Sequence, residues 1–110
     1  MSYYAKGLKT KTSFDLIYED VCQIFNKDPA EAFEMRGSLK MPYPTIRHLT
    51  MALIKRRNPE RTWQKVADYF FQDHTIAMYA VKKINDYREV DKEFRKLTNE
   101  LFRKYETIRI

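Results

Sequence analysis

The sequence predicts an all-α protein, folded as a single small bundle of about six helices. Glycine and proline are scarce, with two and four among 110 residues, whereas an all-β domain needs turn residues every few positions. Apolar residues instead recur at helical spacing in successive segments. Hydrophobic residues make up 44% of the chain and charged residues 33%, which suits one modest core beneath a charged surface.

The chain is expected to divide into a flexible arm, residues 1–12, and one helical domain, residues 13–110. The arm carries three lysines and no acidic residue. The first helix is predicted to start at Ser13, with Ser13 as the N-cap and Asp15 at the positive helix end. Its apolar stripe is Phe14, Ile17, Tyr18, Val21, Ile24 and Phe25.

Two further helices are predicted before residue 58. Asp28 followed by Pro29 is typical of an N-cap and a first helical position, and predicts a short helix to about Glu34. Residues 35–43 are expected to form a loop. The third helix is predicted to open at Pro44 and to end in three basic residues, with a buried stripe of Ile46, Leu49, Ala52 and Leu53.

A helix-turn-helix is predicted over residues 62–86. Thr62 is expected to cap the first helix, Phe71 and Gln72 to form the turn, and Asp73 to cap the second helix. The first helix is expected to bury Trp63, Val66, Ala67 and Phe70. The second is expected to bury Ala77, Ala80, Val81 and Ile84, so that small residues let the two helices cross closely. Its free outer face consists of His74, Thr75, Met78, Tyr79 and Lys82.

A last helix is predicted from about Asp91 into the C-terminus. Its buried or half-buried residues are expected to be Phe94, Leu97, Leu101, Tyr105 and Ile108.

The positive charge of the chain is concentrated in its middle. The net charge is +6. Residues 1–40 carry six basic and six acidic groups, residues 41–72 carry six and two, and residues 73–110 carry nine and seven. This pattern fits a polyanionic partner such as nucleic acid, or equally a solvated basic loop without a partner.

Several classes of protein are disfavoured by what the sequence lacks. A lone Cys22 cannot form an internal disulfide or a paired-cysteine zinc site, and we interpret it as inert. No apolar run approaches the ~18 residues of a membrane helix, and the N-terminus has no signal segment, so we expect a cytoplasmic protein. No glycine-rich phosphate loop exists, and no serine or cysteine nucleophile lies near His74. We therefore expect neither an enzyme nor a cofactor.

Three stretches, in this order, resemble a known family. They are Val21 to Phe25 with Arg36, then Arg47 with Met51-Ala52-Leu53, then Asp73-His74-Thr75 followed by Ala80 and Lys82-Lys83-Ile84. Together they resemble the C-terminal DNA-binding domain (domain IV) of the bacterial replication initiator DnaA, over roughly residues 14–100. The resemblance implies a Trp-repressor-like bundle that binds double-stranded DNA, without the ATPase module of the full initiator.

The resemblance also implies roles for individual residues. Arg47 would reach the minor groove, and Asp73, His74 and Thr75 would read base edges in the major groove. The remaining implied DNA-binding residues, mostly phosphate contacts, are Lys55, Arg56, Arg57, Arg61, Gln72, Lys82 and Lys83.

The sequence departs from the family at the turn and on the recognition helix. Phe71 and Gln72 stand where glycines and an arginine are usual, and a bulky Phe71 is not expected to adopt a positive φ. Ile76 and Tyr79 replace a usual threonine and a common histidine, so base preference is expected to differ.

The main candidate DNA-binding residues could also have purely structural roles. Asp73 suits an N-cap, His74 a simple surface residue, and Arg47 a surface ion pair with Asp28 or Glu31. The leading hypothesis is a stand-alone double-stranded DNA-binding protein, nucleoid-associated, that regulates replication initiation or transcription and has a replication initiator as a possible partner. The alternative is a protein-interaction module that keeps the helical fold and does not read DNA.

Overall fold

Six α-helices build the domain, as the sequence predicts. The computed structural model describes residues 10–107, and it contains no strand within that range. The helices are α1 (Ser13–Ile24), α2 (Pro29–Glu34), α3 (Tyr43–Arg57), α4 (Trp63–Ala67), α5 (His74–Val90) and α6 (Lys92–Lys104). A short 3₁₀ turn, Asp68–Phe70, continues α4. The expected arm falls mostly on residues 1–9, which lie outside the described residues, as does Ile108.

Side-chain caps fix the starts of five helices. Asp28, Thr62 and Asp73 cap α2, α4 and α5 as predicted, and Asp91 caps α6. The prediction for α1 is wrong by one residue, because the cap is Thr12 rather than Ser13.

The Thr12 cap is a reciprocal pair with Asp15. Thr12 Oγ1 accepts a hydrogen bond from the Asp15 N–H at 3.2 Å, and the Thr12 N–H donates to Asp15 Oδ2 at 2.9 Å. This capping box satisfies two backbone donors, which a serine at the first helical position cannot do.

Helix α3 is the centre of the bundle. It packs against α1 on one side and α5 on the other. Eight of its 15 residues are buried, so it is covered around more of its circumference than the single predicted stripe. The buried Thr50 hydroxyl donates to the Ile46 carbonyl at 2.7 Å, which satisfies its polar group inside the core.

A buried polar contact and a cluster of rings join α1 to the segment after α4. Asp15 is 2% exposed and accepts a hydrogen bond from the Tyr69 hydroxyl at 2.7 Å. Tyr18 packs against the rings of Phe33, Tyr69 and Phe70, with centroids 5.7–6.1 Å apart. These contacts hold the end of α4 against the core.

Helix α6 folds back along α5. Tyr87 stacks on Phe94 with ring centroids 3.9 Å apart. The Arg88 guanidinium lies 3.9 Å from the centre of the Phe102 ring and donates to Thr98 Oγ1 at 2.5 Å. Leu97 was expected on this inner face but is 43% exposed, because Thr98 occupies the buried position one residue later.

Trp63 is a second exception to the predicted core. It is only half-buried, and the Lys55 ammonium lies 4.4 Å from the centre of its ring. As the first residue of a five-residue helix, it packs against the edge of the core rather than inside it. Val81 on α5 is likewise half-buried.

Candidate nucleic-acid interface

Helices α4 and α5 pack against each other, and both carry fully buried alanines. Ala67 on α4 and both Ala77 and Ala80 on α5 are fully buried. Because a methyl group projects little from the helix surface, the two helices can pack closely and leave the opposite face of α5 free. That free face starts with Asp73, His74 and Thr75, all exposed.

The turn between the two helices has a left-handed residue. Phe71 adopts φ 58° and ψ 37°, so the expectation that it avoids a positive φ is wrong. Two backbone hydrogen bonds close the turn, from Phe71 N–H to the Asp68 carbonyl at 3.0 Å and from Gln72 N–H to the Ala67 carbonyl at 3.1 Å.

The Phe71 ring packs against α2 and against Arg36, two residues after the end of α2. Its ring packs on Phe33, with centroids 6.2 Å apart, and lies 5.1 Å from the Arg36 guanidinium carbon. A left-handed conformation costs a bulky residue on the order of 1–2 kcal/mol, which these contacts and the helix-ending hydrogen bonds offset.

The start of α5 is an ordered polar cluster. Asp73 Oδ2 accepts from the Thr75 hydroxyl at 2.7 Å and from the Thr75 N–H at 3.4 Å, while His74 Nδ1 lies 3.2 Å from Asp73 Oδ1. The Thr75 hydroxyl is the main cause that lowers the pKa of Asp73. Asp73 is therefore ionised at neutral pH and orients the two side chains that follow it.

Gln64 joins α4 to the start of α5 through one amide group. Its Nε2 donates to Asp68 Oδ1 at 2.7 Å and to the Gln72 carbonyl at 3.1 Å, and its Oε1 accepts from the His74 N–H at 3.1 Å. Gln64 is not among the residues that the sequence motifs predict for this site. Its spacing of four from Asp68 was the one available signal.

Gln72 folds back onto the turn. It is half-buried, and its Nε2 lies 3.4 Å from the Phe70 carbonyl. Its side chain thus supports the turn in this structure.

The predicted basic cluster divides into two groups. Lys55 turns toward the loop between α3 and α4, where its ammonium donates to the carbonyls of Pro59 and Arg61 at 3.1 and 2.5 Å. Arg61 is exposed, and its closest acidic neighbour is Glu60, with Nε 3.9 Å from Oε2. The exposed Lys65 lies in the same cleft as Arg61.

Arg56 and Arg57 instead point toward the end of α6. Arg56 Nε donates to the Phe102 carbonyl at 2.9 Å, and its Nη2 lies 3.4 Å from Glu106 Oε1. Arg57 Nη1 donates to the Glu106 carbonyl at 3.1 Å. Both guanidiniums therefore bind residues far away in sequence, although each keeps further donors free.

Arg47 is half-buried and holds the loop before α3. Its Nη1 donates to the Ser38 carbonyl at 3.0 Å, rather than to a carboxylate of Asp28 or Glu31, and burial lowers its pKa. Five donors on one guanidinium leave it able to bind a second group.

The outer face of α5 continues with Tyr79 and two lysines. Lys82 is exposed and pairs with Asp86 at 3.1 Å. The Lys83 ammonium lies 5.9 Å from the centre of the Tyr79 ring. Tyr79 also meets His48 of α3 edge-on, with centroids 5.6 Å apart and ring planes at 82°.

The cysteine, the potential metal ligands and the hydropathy of the helices bear on other classes of site. Cys22 is fully buried, and burial raises the pKa of its thiol to about 11, in agreement with its interpretation as inert. Residues 10–107 contain no group of three histidine, cysteine or acidic side chains that could hold a metal ion. Within the same range, no helix is both long and apolar enough to cross a membrane.

Comparisons with known proteins give no relative for this chain. No protein-family model matches it, and neither the curated proteins nor the solved structures contain a match.

Proposed function

We propose that this protein binds double-stranded DNA in a sequence-specific manner, with α4, the turn and α5 acting as a helix-turn-helix. In this proposal α5 is the recognition helix, and its first residues enter the major groove. Asp73, His74 and Thr75 read base edges, while basic side chains around them contact phosphates.

The observation that carries the proposal is the division of α5 into two faces. One face carries fully buried alanines within the core, and the other begins with exposed polar residues that are already oriented. A helix whose exposed polar residues lie at its N-terminal end matches the way recognition helices meet base edges. Thr75 and His74 offer donors and acceptors of the type that bases recognise.

Exposed cations lie on the elements that flank this face. Arg61 and Lys65 are near α4, and Lys82 and Lys83 are on α5 itself. They would supply the electrostatic attraction that dominates affinity for DNA. Some donors of Arg56 and Arg57 already bind residues 102 and 106. The other donors of these two guanidiniums would contact phosphates.

The resemblance to the DNA-binding domain of DnaA supports a role in regulating replication initiation or transcription. A stand-alone domain of this kind would compete for, or act beside, a replication initiator on chromosomal DNA. This role would place the protein in the cytoplasm, on the nucleoid.

A protein-interaction module is the second candidate function. It is favoured by the engagement of Arg56 and Arg57 with the α6 end, and by exposed apolar side chains at Phe71 and Val90. Apolar groups on a surface are common at protein interfaces.

Selection of binding sites from random duplexes, followed by fluorescence anisotropy, tests the proposal. We expect one enriched site, bound at least tenfold more tightly than a scrambled duplex. The logarithm of affinity should fall with the logarithm of salt at a slope of about −4 to −5, from roughly 0.9 per phosphate contact. No enrichment together with a flat salt response would remove the DNA hypothesis and favour the protein-interaction module.

A further inference from the structure

We infer that Tyr79 is a phosphate-contacting residue of the recognition helix, and that His48 of α3 is the positioning residue that holds the Tyr79 ring toward the DNA. This inference rests on the proposed function and adds a contact that neither the basic cluster nor the base-reading residues supply.

Tyr79 lies on the DNA-facing side of α5. It follows Thr75 by four residues, so the two side chains share one face of the helix, with Tyr79 about 6 Å further along the axis. The first residues of a recognition helix meet base edges, and residues further toward its C-terminal end can contact the sugar-phosphate backbone. The Tyr79 side chain is 52% exposed, and within residues 10–107 its hydroxyl has no hydrogen-bond partner.

Two side chains, His48 and Lys83, lie next to the ring of Tyr79. His48 meets it edge-on at 5.6 Å, an arrangement that aromatic pairs favour, and the Lys83 ammonium lies 5.9 Å from its centre. An exposed tyrosine loses its rotamer freedom when it binds, and prior contact with His48 reduces that loss.

His48 is suited to an apolar edge contact because it stays neutral. The pKa of His48 is lowered to about 4, mainly by burial and with smaller contributions from the nearby Arg47 and Lys83. A neutral imidazole can pack against the phenol without repelling Lys83, which remains free to attract a phosphate. The Tyr79 hydroxyl and the Lys83 ammonium would then donate to the same phosphate group.

The first test removes only the hydroxyl. Tyr79→Phe should lower affinity about tenfold for both the selected and a random duplex, as expected for one hydrogen bond to a charged group that carries no sequence information. Tyr87→Phe is the matched control, because Tyr87 lies eight residues further along the same helix and packs on Phe94; its affinity should be unchanged.

The second test locates the contact on the DNA. A series of selected duplexes, each with one phosphate replaced by an uncharged methylphosphonate, is titrated with the wild type and with Tyr79→Phe. At one position the replacement should weaken the wild type several-fold more than the variant, because the variant has already lost that contact.

The third test asks whether His48 acts through Tyr79. His48→Ala should lower affinity several-fold in the wild type and have little effect in the Tyr79→Phe background. His48→Phe, which keeps an aromatic edge, should restore most of the affinity. Circular dichroism on each variant verifies that the fold is kept, and His48→Phe keeps the test decisive if His48→Ala fails to fold.

The outcomes separate this inference from the proposed function. If the wild type binds no duplex, the proposed function fails. If the wild type binds while Tyr79→Phe binds equally well and shows the same methylphosphonate profile, the Tyr79 contact is refuted and DNA binding stands. Equal losses from His48→Ala in both backgrounds would refute the positioning role.

Discussion

The stability of the domain should depend on pH through His48. The half-buried imidazole has its pKa lowered to about 4 by burial, with smaller contributions from Arg47 and Lys83, whereas an unfolded histidine titrates near 6.5. Below pH 6.5 the unfolded chain therefore binds a proton that the folded chain excludes. The contribution of neutral His48 is fully present above pH 6.5 and is lost progressively as the pH falls toward 4.

The size of the effect follows from the two pKa values. Lowering the pKa of His48 from 6.5 in the unfolded chain to about 4 in the folded chain would change the free energy of unfolding by roughly 3 kcal/mol without screening, at about 1.4 kcal/mol for each pKa unit. Because the ring is only half-buried, solvent screening reduces this to about 1–2 kcal/mol. The assay is urea unfolding between pH 4 and pH 7, with the free energy of unfolding compared between the wild type and His48→Phe, which cannot titrate.

The comparison isolates His48 from other acid-sensitive groups. Asp73 also has a lowered pKa and contributes in both proteins, so it cancels in the difference. We expect the wild type to lose about 1–2 kcal/mol more than His48→Phe between pH 6.5 and 4. If the free energy of unfolding fell equally with pH in both proteins, His48 would take up its proton as easily in the folded state as in the unfolded chain. That result would refute the reasoning.

Three further predictions concern single side chains. His74→Ala should leave the free energy of unfolding within about 0.5 kcal/mol of wild type, because the side chain is exposed, and should lower affinity for the selected duplex about tenfold; unfolding of the variant would show a structural role instead. Trp63→Ala should destabilise by about 1–3 kcal/mol in urea unfolding, less than a fully buried tryptophan would, because part of the side chain is already in solvent. Cys22 should react with a thiol reagent such as Ellman's only after unfolding, since its thiol is buried and protonated at neutral pH; fast labelling of the native protein would contradict that account.

Helix positions could be predicted from the sequence because their signals are local. Asp28, Thr62 and Asp73 each cap a helix through a hydrogen bond to a backbone N–H two or three residues later, and such short-range chemistry is visible in the sequence. The Thr12 cap was missed because Ser13 and Thr12 are both good caps, and only the return bond from Asp15 selects between them.

The contacts of the basic side chains at the end of α3 could not be predicted in the same way. Lys55, Arg56 and Arg57 are consecutive on a helix, so their side chains leave it about 100° apart. One therefore reaches the loop between α3 and α4, and the other two reach α6. The partners of Arg56 and Arg57 lie 46 to 50 residues away in sequence, and no local pattern indicates such contacts.

The backbone conformation of Phe71 could not be predicted from the local sequence either. Steric preference disfavours a left-handed phenylalanine, and the sequence around Phe71 carries no local signal that opposes this preference. Contacts with Phe33 and Arg36 stabilise the left-handed conformation, and these two residues lie more than 30 positions earlier in the sequence. Local preference was overruled by tertiary packing at this position.

The buried alanines of α4 and α5 limit which substitutions the domain can accept. At Ala67, Ala77 and Ala80 any larger side chain must displace the neighbours packed around it, and glycine would weaken the helices themselves. A saturation-mutagenesis library sorted for folded protein should therefore be nearly invariant at these three positions. The outer face of α5 should tolerate most residues in the same library, so the specificity of the protein can diverge while its scaffold stays unchanged.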